Sequence, residues 1–195
     1  MNQEFMKEKK VLPLVVSMSL PMVISMAVNA LYNIVDSYFV AKLSENAMTA
    51  LALVYPVQNL ITAIAVGFGV GMNANVAFYL GADDEIRGNK AAAQGILFNF
   101  LHGILLTFLC IGGMPLFLKL FSSEQETVKM ALIYADRAFL FSTVVTLGIS
   151  FEKLFQAVGR MKMTMIGMMC GFVANIILDP LMIFGIGIFP AMGIA

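Results

Sequence analysis

Charge is scarce in this chain, and its scarcity excludes the class of soluble globular proteins. Of the 195 residues, 12% are charged, compared with about a quarter in an ordinary soluble domain. Hydrophobic residues make up 60% of the sequence, and the mean hydropathy is +0.88. Twelve basic and twelve acidic residues give a formal net charge of zero, so we expect no nucleic-acid partner. The composition indicates a membrane protein.

Cysteine and histidine are also rare, which limits metal binding and catalysis. Cys110 and Cys170 lie in apolar runs without metal-ligand spacing, so we expect them to be packing residues. His102 stands alone, and a packed histidine is favoured over a proton relay. Neither a nucleophile–base pair nor a metal-ligand set is visible. We therefore expect no enzymatic activity, no cofactor and no permanently bound metal.

Long stretches without charge define the fold class. They cover residues 11–35, 46–82, 91–118, 163–178 and 180–195. A helix needs about 20 apolar residues to cross the hydrocarbon core. Three stretches exceed this length, and the fourth does so only if Asp179 lies in the membrane. We predict an all-α, polytopic helical bundle of five transmembrane helices, followed by the start of a sixth. The five helices cover about residues 11–41, 48–80, 90–118, 127–156 and 163–185.

The fourth predicted helix differs from the others because Asp136, Arg137 and Glu152 interrupt its apolar run. Only 14 uncharged residues separate Arg137 from Glu152, too few to span a bilayer. One face of this helix is therefore expected to contact protein or water rather than lipid.

Basic residues in the loops predict the orientation. With the N-terminus inside, three basic residues are external: Lys42, Lys119 and Lys129. Eight are cytoplasmic: Lys7, Lys9, Lys10, Arg87, Lys90, Lys153, Arg160 and Lys162. The excess predicts a multi-pass protein of the cell (plasma or inner) membrane, with residues 1–10 as a cytoplasmic N-terminal segment.

A polar face marks the first helix as a candidate binding surface. Asn29, Asn33 and Asp36 are spaced at i, i+4 and i+7, and Tyr32 lies one turn before Asp36. Residues at this spacing share one side of a helix. Asp36 is about 38 Å along its helix from residue 11, less what tilt and bends remove, in the outer half of the membrane. An alternative is that Asp36 caps the helix at the outer interface.

The fifth predicted helix carries a comparable row, with steps of four from Gly167 through Gly171 and Asn175 to Asp179. Small residues let a neighbouring backbone approach closely, so we expect this ridge to face protein. Asp179 is about 24 Å from the start of its helix, at a depth where it and Asp36 could share one pocket.

A second glycine ridge lies in the stretch 46–82. Gly67, Gly71 and Asn75 also step by four, and we expect close helix packing there as well.

Pro180 directly follows Asp179 and deprives the Ile176 carbonyl of its helical partner. We expect a broken helix at this point, as at cation sites in transporters. An ionised Asp at the bilayer centre costs about 2.5–3.5 kcal/mol, which a proton or a bound cation would relieve. The alternative is a structural Asp179 at a kink.

Glu152 and Gln156 share a face of the fourth predicted helix. An interfacial pair near the inner end is favoured over a second site, and we keep both residues as secondary candidates, together with Asn29.

Three segments resemble the multidrug and toxic compound extrusion (MATE) family, especially its bacterial branch. They are VDSYFVAKL (35–43), LFQAVGRMKMTM (154–165) and ANIILDPLMIFGIGIFPAMGIA (174–195), and the last is the most specific. The resemblance covers nearly the whole chain. It implies a twelve-helix transporter of two six-helix lobes, of which residues 11–195 are an incomplete N-terminal lobe and the C-terminal lobe is missing.

The resemblance also implies a function and a site. Family members exchange organic cations or drug-like molecules for inward-moving H⁺ or Na⁺. Their coupling cluster corresponds to Asp36, Asn175 and Asp179, where Na⁺ would bind transiently, with Tyr32 as a neighbour. One loop departs from the family pattern: AFYLGADDE (77–85) lacks the usual arginine and has Asp83 where a glycine is common.

We therefore expect the N-terminal part of a cation-coupled exporter of drugs. Two alternatives stay open. One is a flippase for lipid-linked oligosaccharides of the same superfamily, which a basic cavity would favour. The other is a membrane fragment that does not transport.

Overall fold

The computed structural model describes residues 10–185 and Gly193, and within them the chain forms only helices and short turns. The helices are α1 (Val11–Ala41), α2 (Glu45–Gly81), α3 (Glu85–Phe121), α4 (Gln125–Leu140), α5 (Ser142–Ala157) and α6 (Met161–Phe184). The predicted cytoplasmic segment, apart from Lys10, lies outside the described residues. So does the predicted start of a sixth transmembrane helix, apart from Gly193.

The all-α, multi-pass prediction is confirmed. By length and composition, α1, α2, α3 and α6 can each cross a membrane, and α4 with α5 can form a fifth, bent span. The first predicted helix matches α1 at both ends, and the other boundaries differ by a few residues because loops are shorter than the polar segments suggested. The division into lobes stays a prediction.

The fourth predicted helix is wrong in one respect, since the structure divides it at Phe141. The axes of α4 and α5 differ by 47°. Tertiary packing explains the bend, because the Thr107 hydroxyl of α3 donates to the Phe139 carbonyl at 3.2 Å just before it. Beyond the bend, the backbone of Thr143 lies against Gly103 of α3, where a Cβ would be 2.8 Å from the Thr143 Cα. Each half therefore follows the surface of α3.

The second correction concerns Pro180, which does not break its helix. The helix α6 continues through Pro180 to Phe184 and ends at Gly185, whose φ of 68° provides a left-handed cap. A proline removes one backbone donor, and the remaining hydrogen bonds of α6 are enough to keep it helical.

A central bundle of α2, α3, α4 and α5 contains the main apolar core. Small residues allow close approach, since Ala50, Ala131 and Ala135 are fully buried. Cys110 packs in this core as expected, whereas Cys170 is exposed on α6. The larger core side chains are Val54, Ile61, Leu106, Met114, Leu118 and Phe139.

A buried amide joins three helices of the central bundle. The Asn99 Nδ2 of α3 donates to the Ala65 carbonyl of α2 at 3.3 Å and to the Ser150 Oγ of α5 at 2.6 Å. A buried amide must find such partners because water is excluded. These hydrogen bonds fix the register of the bundle where apolar packing alone is nondirectional.

The helices α1 and α6 form a separate pair. They pack chiefly against each other, and only limited contacts join α1 to α2 and α6 to α5. Among the described residues of α6, only Thr164 is buried. The pair therefore lies beside the central bundle as a less firmly attached unit.

Local signals fix the long helices of the bundle. Ser44 caps α2 by accepting from the Ala47 N–H, and Asp84 caps α3 by accepting from the Arg87 N–H. Asp83, which stands where the family commonly has glycine, adopts φ 56°, in the left-handed region that Asp tolerates better than most residues. The polar turn between α2 and α3 keeps its shape without that glycine.

Candidate functional site

The polar face of α1 lines a cavity of about 910 Å³ between α1, α2 and α4. Asn29, Tyr32, Asn33 and Asp36 all contribute to its wall, so the prediction that they share one side of the helix is confirmed. The Asn33 side chain donates to the Asn29 carbonyl at 2.9 Å. From α2 and α4 the cavity receives Tyr55, Gln58, Asn59, Thr62 and Tyr134.

On α6, Asn175 and Asp179 are directly joined. The Asn175 Nδ2 donates to the Asp179 Oδ1 at 2.7 Å. The other oxygens, Asn175 Oδ1 and Asp179 Oδ2, are buried and make no hydrogen bond to the described residues. Buried acceptors without a donor are costly. Oxygen atoms are the ligands that hard cations such as Na⁺ prefer, and a carboxyl oxygen can also take up a proton.

The packing of α1 against α6 brings the two acidic residues together. Asp36 and Asp179 are near enough for their charges to interact, and both interact with the Tyr32 hydroxyl. The rings of Phe39 and Phe184 meet edge to face at 6.3 Å about one turn farther along. Tyr32, Asp36 and Asp179 therefore lie near one another, and Asn175 is bonded to Asp179. That this group couples ion binding to transport stays a prediction.

The glycine part of the α6 ridge behaves differently from the prediction. Gly167 and Gly171 are exposed, and a Cβ at either would meet no atom within 4 Å. Gly171 instead borders a cavity of about 190 Å³ between α1 and α6, with Asn29 and Tyr32 on its other wall. Close approach is absent at these described glycines, and Tyr32 lies between the two cavities.

Sequence reasoning missed Gln58 and Tyr134. The Gln58 Nε2 donates to the Tyr134 hydroxyl at 3.0 Å, joining α2 to α4. Tyr134 is in turn near enough to Asp36 and Tyr32 for their charges to interact. Because the phenol oxygen accepts from Gln58, its own proton is free to point toward an acceptor such as Asp36. The available signal was Gln58 itself, an amide inside an otherwise apolar stretch.

The secondary candidates Glu152 and Gln156 lie elsewhere. Glu152 Oε1 accepts from Gln156 at 2.7 Å and from Lys153 at 2.9 Å, and the Lys153 carbonyl accepts from Asn73 at 2.8 Å. These contacts satisfy the carboxylate near the end of α5, outside the lining of the Asp36 cavity. The pair thus has a structural explanation, and a functional role for it stays a prediction.

His102 is packed rather than aligned with the acidic residues. Its Nδ1 is 2.8 Å from the Phe98 carbonyl, and its ring lies 4.0 Å from that of Phe68. Within the described residues, no group of three His, Cys, Asp or Glu side chains could hold a metal ion.

A bundle of helices that can cross a membrane, with two acidic residues near each other on its apolar helices, is typical of membrane transporters. The MatE family profile matches residues 21–181, so the chain belongs to the MatE family. It is 27% identical over 183 residues to the multidrug export protein MepA of Staphylococcus haemolyticus, and 29% identical over 168 residues to that of Staphylococcus aureus strain MRSA252. These alignments cover 93% and 86% of this chain, but 40% and 37% of the relatives.

Solved structures show the same fold. A multidrug resistance MATE transporter of the MOP superfamily in an outward-facing conformation matches with a TM-score of 0.86 at 26% identity. A MOP superfamily transporter from Pyrococcus furiosus matches equally well. Each alignment covers 93% of this chain and 39% of the other. The chain therefore spans about two fifths of the relatives that it matches.

Proposed function

We propose that this chain is the N-terminal part of an exporter that exchanges organic cations or drug-like molecules for H⁺ or Na⁺. The observation that carries the proposal is the pair of buried, unbonded oxygens on Asn175 and Asp179, close to the Asp36 carboxylate. The relatives named as multidrug export proteins support the direction and the substrate class.

The mechanism follows from charge. Without an ion, two neighbouring carboxylates in a medium of low polarity repel each other and attract an organic cation into the Asp36 cavity. A proton or Na⁺ at Asp179 and Asn175 neutralises part of that charge and favours closer approach of α1 and α6. The cation in the cavity is then held less strongly and is released outward. Exchange results because both ligands use the same negative charge.

The coupling role of Asp179 can be tested in cells that express the full-length protein. Asp179→Asn keeps the size of the side chain but removes its charge, and we expect accumulation of a fluorescent organic cation to rise to the level of cells without the transporter. Asp136→Asn is the matched control, because Asp136 is an exposed acid on α4 outside the cavity lining. Normal efflux by Asp179→Asn at equal expression would refute the coupling role.

Orientation is part of the proposal. We infer a cytoplasmic N-terminus from the excess of basic residues in the corresponding loops. A single cysteine is introduced at Arg87 or at Lys42 in a variant that lacks Cys110 and Cys170. A membrane-impermeant maleimide should reach the two positions from opposite sides of the membrane. We expect it to label Lys42→Cys in intact cells and Arg87→Cys only after lysis. The reverse pattern would invert the assignment.

The flippase alternative is not favoured by the cavity. Among the described residues that line it there is no lysine or arginine, and Asp36 is the charged member. Such a wall would repel the pyrophosphate of a lipid-linked oligosaccharide. The other alternative, a fragment that does not transport, is distinguished by whether the reading frame continues through a second set of helices.

A further inference from the structure

A groove between α2 and α3 lies apart from the proposed transport site. Its volume is about 930 Å³. The sequence predicts close helix packing at Gly67 and Gly71, but a Cβ at either position would meet no atom within 4 Å. These glycines therefore do not admit a neighbouring helix among the described residues. Instead they leave one side of the groove open.

The two walls of the groove are matching helical stripes. On α2 the lining residues are Ile64, Gly67, Phe68, Gly71, Met72, Asn75 and Tyr79, and on α3 they are Arg87, Lys90, Ala91, Gln94, Gly95 and Phe98. Both sets follow the spacing of three and four that defines one helix face. At Gly95 the two helices do meet, because a Cβ there would collide with the Met72 side chain. The groove thus has a closed base and an open side.

Polarity changes along the groove. Toward the middle of the helices, Ile64, Phe68 and Phe98 make it apolar, whereas the end near the α2–α3 turn carries Arg87 and Lys90. These two are the charged side chains among the described lining residues. Arg87 also contacts Asp84 at 3.3 Å, with 70% of the Arg87 side chain and 35% of the Asp84 side chain exposed, and an ion pair so accessible to solvent contributes little.

The groove is long enough to span one leaflet of a bilayer. From Ile64 to Tyr79 the helix rises about 22 Å, while half of the hydrocarbon core is about 15 Å thick. An acyl chain can therefore lie along the apolar part while its headgroup reaches the basic end. In the proposed orientation that end is cytoplasmic, where anionic lipids attract basic residues.

We propose that this groove binds an anionic membrane phospholipid. The phosphate lies against Arg87 and Lys90, and one acyl chain occupies the space above Gly67 and Gly71. A second apolar helix laid in the same place would bury the Lys90 ammonium, for which the described residues provide no ion pair, together with the Arg87–Asp84 pair, and such burial is costly. A phospholipid supplies both the apolar chain and the negative charge that the two ends of the groove favour.

The proposal is tested by native mass spectrometry of the purified full-length protein with phosphatidylglycerol or phosphatidylcholine at equal concentration. We expect retention of one phosphatidylglycerol that Arg87→Gln with Lys90→Gln weakens by about fivefold per residue, the equivalent of about 1 kcal/mol each. Lys119→Gln with Lys129→Gln is the control, because it removes equal charge at exposed positions outside the groove. Equal retention of both lipids, or equal loss in both double variants, would overturn the proposal.

A second variant tests the acyl-chain position without changing charge. Gly71→Leu places a side chain in open space, so the fold should be kept while phosphatidylglycerol is lost. Gly112→Leu is its control, since Gly112 is also open but lies elsewhere on α3. Unchanged lipid retention in Gly71→Leu would show that no acyl chain occupies the groove, and the proposal would fail.

Discussion

The central bundle and the α1–α6 pair use their buried amides differently. In the bundle, the Asn99 Nδ2 donates to two other helices and helps to fix them, although its Oδ1 makes no hydrogen bond to the described residues. In the pair, the side chains of Asn175 and Asp179 bond each other, and each keeps one buried oxygen without a donor. The unbonded oxygen of the bundle belongs to a neutral amide, whereas one of the two in the pair belongs to a carboxyl group close to Asp36. Bonds between helices make Asn99 part of the scaffold, and the neighbouring acidic groups make the pair the better candidate for a cation.

Glycines differ between the two regions only in part. In the bundle, Gly103 allows the Thr143 backbone to approach, whereas Gly71 has open space around it. On α6, the described glycines Gly167 and Gly171 are both open. Tight packing at a glycine therefore occurs in the bundle but not at these two positions of α6.

The largest expected effect comes from removing negative charge from the α1–α6 pair. In the purified full-length protein, saturating Na⁺ or acid should raise stability, by about 2.7 kcal/mol at 100 times the dissociation constant. Asp36→Asn should abolish this ligand-dependent gain, because the cluster loses half of its negative charge. Thermal unfolding at a series of Na⁺ concentrations and pH values measures this gain in stability. Asp136→Asn should retain the full gain, and an Asp36→Asn protein that still responds would refute the role of the pair.

A smaller effect is expected from one identical substitution made in both regions. Gly103→Ala should destabilise the protein by about 1–3 kcal/mol, because the added methyl collides with the backbone of α5. Gly171→Ala should be neutral or stabilising by up to about 1 kcal/mol, since Ala has the higher helix propensity. The melting temperatures of the two variants measure this difference in stability. Equal losses at both positions would mean that α6 packs as tightly as the bundle.

The smallest effect concerns the Gln58–Tyr134 hydrogen bond of the central bundle, which lies near Asp36 of the α1–α6 pair. Gln58→Leu or Tyr134→Phe should each weaken ion-dependent stabilisation by about 0.5–1.5 kcal/mol, the usual contribution of one hydrogen bond. The double variant should lose little more than either single variant, since both act through the phenol that faces Asp36. Additive losses in this double-mutant cycle would show that Gln58 and Tyr134 act independently.

Most of the fold could be predicted because the bilayer imposes strong constraints. The uncharged stretches and the length needed to cross a membrane gave five spans, and the ends of α1 agree with the prediction. The bend at Phe141 could not be predicted, because it depends on Thr107 and Gly103 of another helix. The continuation of α6 through Pro180 was also missed, since one lost hydrogen bond is not enough to end a helix.

The candidate site was predictable only along single helices. Helical spacing placed Tyr32 and Asp36 on one face of α1, and Asn175 and Asp179 on one face of α6. The contribution of Gln58 and Tyr134 was missed because a hydrogen bond between residues 76 positions apart leaves no local pattern. The glycine spacing predicted close helix packing that the structure does not show, because small residues permit close packing but do not require it.

By itself, the sequence determined the membrane class, the helices and the polar face that each helix carries, since these depend on composition and on the period of the α-helix. Only the tertiary structure decided which faces meet. It placed two carboxylates in one cluster, left the glycine positions of α2 open as a groove and joined the amide of α2 to the phenol of α4. Contacts between distant segments depend on how whole helices pack, and no short stretch of sequence contains that information.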